Sequence, residues 1–312
     1  MSVGARLTTW NQESWDLPVL LEWELRYTGG VPCDSVSLTC VYDRSMGTVL
    51  PECCRLGVFE DGELRFYGVV DEYTVERSER GELLTITGRG LAALLLDNES
   101  TAAVYQRATT RELLQSHVEP YGIRCREWKD LSGAYRIPSG SSQWKALEGF
   151  TRTYGGFSPR FTPTGELLCT PETAGASLHV GESTPVLALT RREKRYGVLS
   201  EVLVTDKTRG VTQSVRNQEF LRRGGSCRRV LYTPGQSSWS AMRYTGEYQI
   251  SESQKDAAEL SLTMPGGFLT WPGERVALDL EDAAFRGTWR VQEAVTACGS
   301  GGKTCRLTLW KE

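Results

Sequence analysis

The 312-residue sequence is 39% hydrophobic and 24% charged, and it contains no apolar run of about eighteen residues, which excludes a bilayer-spanning helix. Its 36 basic and 39 acidic residues leave a net charge of −3, the wrong sign for a protein whose main partner is nucleic acid. The opening MSVGARLTTWNQESWDLP has one Arg and lacks the apolar centre of a secretory signal, and the length predicts two or three units able to bury a sizeable core.

Leu17 to Tyr27 and Asp34 to Asp43 alternate apolar and polar residues, which predicts half-buried strands separated by a turn at Gly29-Gly30-Val31-Pro32. Residues 58–90 (VFEDGELRFYGVVDEYTVERSERGELLTITGRG) add hairpin strands that turn at Asp61-Gly62 and Arg80-Gly81. Strands this closely spaced predict a small barrel or sandwich. Leu91 to Leu96 reads as a helical turn closed by Asp97-Asn98. Thr109 stands three residues before Glu112, a capping-box spacing that starts a helix carrying Leu113, Leu114, His117 and Val118 on one side, and Pro120 with Gly122 stops it. Ser141 to Tyr154 predicts a second helix, and Phe157 to Thr170 a hairpin turning at Thr164-Gly165. Strand signals return after residue 176. Arg195 to Asp206 alternates, Ser253 to Met264 predicts a helix ended by Pro265-Gly266-Gly267, and Arg275 to Leu280, Gly287 to Thr296 and Thr304 to Trp310 close the chain as strands. The expected fold is α+β, mainly β: an N-terminal β-barrel domain over residues 1–95, an α+β middle domain over 96–175, and a second β-barrel domain over 176–312 with one helix near 253–264.

Catalytic chemistry finds little support. Of two histidines, His117 falls on the apolar side of its helix and His179 beside a turn, and Cys125 is cut off from His117 by the breakers Pro120 and Gly122. The adjacent carboxylates Glu60-Asp61, Asp71-Glu72 and Glu281-Asp282 point to opposite strand faces, which favours turn or solvated positions. Nine irregularly spaced cysteines read as free thiols in preference to a disulfide framework, metal site or redox site. No Gly-rich phosphate loop follows a strand. The basic stretch RRGGSCRR, residues 222–229, reads as a solvated or salt-bridged loop before it reads as a phosphate-backbone contact. The expectation is a non-enzyme without cofactor or metal. A wall-degrading enzyme and a glycan-binding module built on Trp239, Trp271 and Trp289 stand as alternatives.

One ordered series of motifs points further. Phe66-Tyr67-Gly68-Val69-Val70-Asp71 leads to Gly88-Arg89-Gly90-Leu91, then to Leu95-Leu96-Asp97, then to Pro120-Tyr121-Gly122-Ile123. This series resembles the baseplate hub proteins of phage tails and phage-like particles, the family of the late control protein of Mu-like phages and the T-even baseplate hub. The resemblance implies a homotrimeric virion structural protein, assembled in the host cytoplasm, whose two tube-like barrels per subunit make a pseudo-sixfold ring. Such a ring adapts a hexameric tail tube to a trimeric spike in a phage, tailocin or other contractile injection system. It implies tail-tube, spike and tape-measure proteins as partners, and structural roles for Gly68, Asp71, Gly88, Arg89, Leu91, Asp97, Pro120 and Gly122.

Overall fold

The computed structural model describes residues 2–30, 32, 34–79, 81–172, 175, 177–233, 238–255 and 257–311. Val31 of the expected first turn, the Cys33 thiol and Arg80 of the expected hairpin corner lie outside the described residues. The chain divides into two compact units. The first comprises Met1–Ala176, Met264–Glu274 and Val291–Leu307, and the second Ser177–Thr263, Arg275–Arg290 and Thr308–Glu312.

In the first unit, strands β1 (Val3–Thr9), β2 (Ser14–Asp16), β3 (Leu20–Thr28), β4 (Ser35–Val41), β5 (Cys53–Glu60), β6 (Glu63–Ser78) and β7 (Gly81–Gly90) pair antiparallel in the spatial order β3-β4-β7-β6-β5-β1-β2. Alternation builds the core: Leu7, Trp23, Leu25, Tyr27, Val36 and Leu38 point inward at period two, joined by Leu56, Val58, Phe66, Leu84 and Ile86. β1 went unrecognised in the sequence because VGARLTT offers only Ala5 and Leu7 as inward apolar positions.

The helical layer follows in order: α1 (Ala92–Asp97), β8 (Ala103–Thr109), α2 (Thr110–His117), β9 (Cys125–Trp128), β10 (Ser132–Ile137), α3 (Gln143–Gly155), β11 (Arg160–Phe161) and β12 (Leu167–Cys169). Both expected helix starts are present. Thr109 and Glu112 form the complete capping box on α2, and Ser142 accepts the Lys145 amide at the start of α3. The 160s hairpin turns at Gly165, where φ is +85°. Leu95, Leu113, Leu147, Phe150 and Leu167 are buried together and take Val69 and Leu91 into the same core.

The second unit holds β13 (Ser177–Gly181), β14 (Ala188–Glu193), β15 (Glu201–Asp206), β16 (Val211–Arg216), α4 (Gln218–Arg222), β17 (Arg228–Thr233) and α5 (Trp239–Lys255). Next come β18 (Ala258–Pro265), β19 (Arg275–Asp279), β20 (Gly287–Gly299) and β21 (Gly302–Lys311), of which β18, β20 and β21 supply residues to both units. β15 pairs antiparallel with β16 and parallel with β17, and α5 packs on this sheet through Met242 and Ile250 against Val202, Val204 and Val215. The alternation expected over 195–206 begins only at Glu201, with Val202 and Val204 facing α5.

The helix expected at 253–264 is corrected: α5 ends at Lys255, and Ala258–Pro265 is a strand antiparallel to β14. Leu260, Leu262 and Met264 are buried while their neighbours are partly exposed, so the segment follows the two-residue period of a strand rather than a helix stripe. The sheets are mainly β in an α+β frame, in keeping with the expected class.

Candidate functional site

Six of the eight motif residues meet where β6, β7 and α1 join. The register of β6 against β7 runs Gly68↔Gly90, Val69↔Arg89, Val70↔Gly88 and then jumps to Glu72↔Thr87, which makes Asp71 the extra residue of a bulge. A bulge re-aims a side chain, and here it turns Asp71 onto Arg89. Arg89 donates from Nε to Asp71 Oδ2 at 2.8 Å and from Nη2 to Oδ1 at 2.9 Å. It also donates from Nη1 and Nη2 to the two Asp97 oxygens at 3.1 and 2.7 Å. One planar guanidinium thereby ties two strands to the end of a helix, a geometry the lysine ammonium cannot copy. Hydrogen bonding to Asp71, then to Asp97, raises the Arg89 pKa, and the Arg89 bond lowers that of Asp97.

The two glycines permit the close crossing. A Cβ on Gly68 would stand 2.0 Å from the Arg89 carbonyl oxygen, and one on Gly88 would stand 2.2 Å from the Val69 carbonyl oxygen. Backbone, not a movable side chain, occupies both places. Leu91 is buried at the entry of α1. Pro120 and Gly122 sit apart and exposed, in the turn after α2, where Gly122 takes a left-handed φ of +70° and directs Val118 and Ile123 into the core shared with Leu91. The arrangement ties a carbonyl-tight backbone crossing to the end of α1 through one guanidinium.

The residues with catalytic potential are dispersed in their bonding. His117 is buried, with Nδ1 2.6 Å from Gln143 Oε1 and 3.4 Å from Ser100 Oγ, and Gln143 in turn donates to the Glu99 carbonyl and the Tyr121 hydroxyl. Cys125 pairs with a cysteine rather than with His117: the Cys169 thiol donates to its sulfur, which lowers the Cys125 pKa and raises that of Cys169. His179 is exposed on β13. Among the described residues no group of three His, Cys, Asp or Glu side chains could hold a metal ion. The eight described cysteines are free thiols, of which Cys40, Cys169 and Cys305 are buried.

Two charged clusters escaped the sequence reading. Glu60, expected on a solvated turn, is buried, accepting from Lys303 Nζ at 2.8 Å with Arg65 Nε 3.3 Å away. The cations are in turn covered by rings, Lys303 over Trp23 and Arg65 over Phe268. No local signal could show this, since Lys303 is 243 residues from Glu60. Glu201 accepts from Arg228 at 2.6 Å, Arg216 at 3.1 Å and Ser214 at 2.7 Å, and these bonds, led by Ser214 and Arg228, lower its pKa to about 2. Three of the four arginines of the basic stretch are therefore engaged internally: Arg228 by Glu201, Arg223 by Glu219 at 2.6 Å, and Arg229 by Gln249 at 2.9 Å.

The three tryptophans of the glycan alternative have different surroundings. Trp289 is buried, Trp271 packs edge-on against Tyr27 with centroids 4.8 Å apart, and Trp239 is exposed at the start of α5. No helix among the described residues is long and apolar enough to cross a membrane.

Comparison with known proteins places this architecture. No family model matches the sequence, and no curated protein matches it. Solved structures do. The tail protein of Neisseria meningitidis MC58 aligns at a TM-score of 0.76 and 15% identity, covering 100% of this chain and 97% of its own. The 43 kDa tail protein of prophage MuSo2 from Shewanella oneidensis aligns at 0.77 and 13% identity, covering 98% of each chain. An Escherichia coli component of the type VI secretion system, described as structurally similar to T4 bacteriophage tail proteins, aligns at 0.54 and 13% identity over 93% of this chain and 73% of its own. The chain has the fold of phage tail proteins over its whole length.

Proposed function

We propose that this chain is a structural hub subunit of a phage tail or phage-like particle, without catalytic activity of its own. The observation that carries the reading is the end-to-end fold match to two tail proteins, with 98% or more of this chain and 97% or more of theirs aligned. The Arg89 junction suits the role, because a subunit that transmits force needs its strands and helices locked rather than hinged.

In this reading three copies close a ring, the β domains of residues 1–95 and 176–312 supplying six similar ring positions and residues 96–175 the α+β domain between them in sequence. Ring closure requires heterologous interfaces, two different complementary patches on each chain. The ring adapts a sixfold tail tube to a threefold spike, with a tape-measure protein as a further partner, and its place is the tail baseplate after assembly in the host cytoplasm. Sedimentation velocity across a concentration series tests the reading. A trimer that binds tail-tube or spike protein supports it, and a monomer at every concentration with no affinity for either overturns it.

A further inference from the structure

The second unit contains a pocket of about 630 Å³ lined by five cations, Arg191, Lys194, Arg195, Arg223 and Lys311. Three of them are ion-paired, Arg191 with Glu193, Lys194 with Glu259 and Arg223 with Glu219, which leaves Arg195 and Lys311 without a carboxylate partner among the described residues and the pocket with an excess of two positive charges. We propose that this pocket binds an acidic peptide segment of a partner protein, an interaction separate from ring closure.

The capacity for such a ligand lies in Arg195 and Lys311: Arg191 is held by Glu193 and the Ala284 carbonyl, whereas Arg195 donates to the Arg223 carbonyl and keeps its charge unpaired. Arg195 lies over the Phe220 ring, 6.0 Å from its centroid, so its charge is fixed against an apolar wall completed by buried Val198. Lys311 is exposed.

The ligand is an extended segment rather than a single ion. A second groove of about 400 Å³ shares Lys194, Val198 and Ala257 with the first, and adds Tyr196, Arg229, which donates to Gln249 at 2.9 Å, and Glu252, which a neutral residue of the segment would face. Tyr196 is 75% exposed there, an apolar ring ready to cover a side chain. The pocket also selects against nucleic acid. Glu193 and Glu219 would repel a continuous phosphate backbone, whereas a peptide can place neutral residues opposite them.

Fluorescence anisotropy of the full-length protein with a labelled decapeptide of alternating glutamate and glycine tests the proposal. The controls are the glutamine-for-glutamate peptide and a single-stranded oligonucleotide of similar charge. Saturable binding is expected for the acidic peptide alone, weakened at least about tenfold between roughly 0.05 and 0.5 M salt. A loss of about tenfold is also expected in Arg195→Glu and in Lys311→Glu, both exposed positions whose folding circular dichroism would verify. Should Arg195→Glu fail to fold, Lys311→Glu gives the same reading alone. Absence of binding at low salt, equal binding of the glutamine peptide, indifference to the charge reversals, or tighter binding of the oligonucleotide would each overturn it.

Discussion

Two clusters in this molecule use the same chemistry in inverse proportion. At the β6–β7–α1 junction one arginine, Arg89, stands between two carboxylates, Asp71 and Asp97. On the β15 sheet one carboxylate, Glu201, stands between two arginines, Arg216 and Arg228. The first ties a strand pair to the end of helix α1 and sits over a backbone crossing that two glycines make possible. The second joins adjacent strands that backbone hydrogen bonds already hold in register. An ion-pair cluster that duplicates a ladder adds little to it, while one that bridges separate elements determines how they meet.

That contrast is testable, starting with the largest effect. Gly88→Ala places a methyl group 2.2 Å from the Val69 carbonyl oxygen, and the crossing must open. A loss of about 3 kcal/mol or more is expected in urea unfolding, near the upper end for single substitutions. Arg89→Ala leaves Asp71 and Asp97 facing each other and should cost about 2 kcal/mol, with Arg89→Lys recovering less than half of it. Equal stability of Arg89→Ala and the parent would remove the junction from the account.

Asp34 gives a smaller effect of opposite sign. It accepts the Thr28 amide at 2.8 Å, yet burial raises its pKa to about 6, above the ordinary carboxylate value near 4. The unfolded chain therefore releases this proton first, and the carboxyl's favourable contribution, complete below about pH 4, is lost as the pH rises through 6. Asp34→Asn keeps an oxygen for the Thr28 amide and should be more stable than the parent by about 1 kcal/mol at pH 7, with the difference vanishing near pH 4. Unfolding midpoints measured at both pH values decide it.

Glu201 runs the other way and is expected to be the weakest. Its pKa, lowered to about 2, makes its contribution present above the ordinary glutamate value of about 4.3 and lost as the pH falls toward 2. Glu201→Gln should unfold slightly earlier than the parent at pH 7 and together with it near pH 2. A loss at pH 7 as large as that of Arg89→Ala would contradict the distinction between the two clusters.

What could be read from the sequence is what leaves a local mark. The residues of the junction lie within thirty positions, Gly68 to Asp97, and the ordered motif series singled them out, but neither the Asp71 bulge nor the Arg89 ion pairs left a local mark that was read. Caps left such marks for α2 and α3, where Thr109 and Ser142 act on amides three residues away. α5 was illegible for the opposite reason: Met242 and Ile250 are its fully buried apolar side chains, and Tyr244 and Tyr248 face outward, so no stripe marks a core face. β18 was mistaken for a helix because SQKDAAELSLTM joins the end of α5 to a strand, and the helix-favouring residues hide where the period changes. The Glu60–Lys303 pair and the cationic pocket depend on residues brought together from distant parts of the chain, which no local pattern encodes.

The central claim is that this chain builds a ring. Negative-stain electron microscopy of the purified full-length protein tests it most directly: class averages should show closed rings of three copies with six similar lobes. Isolated single-copy particles, or open filaments of varied length, would contradict it.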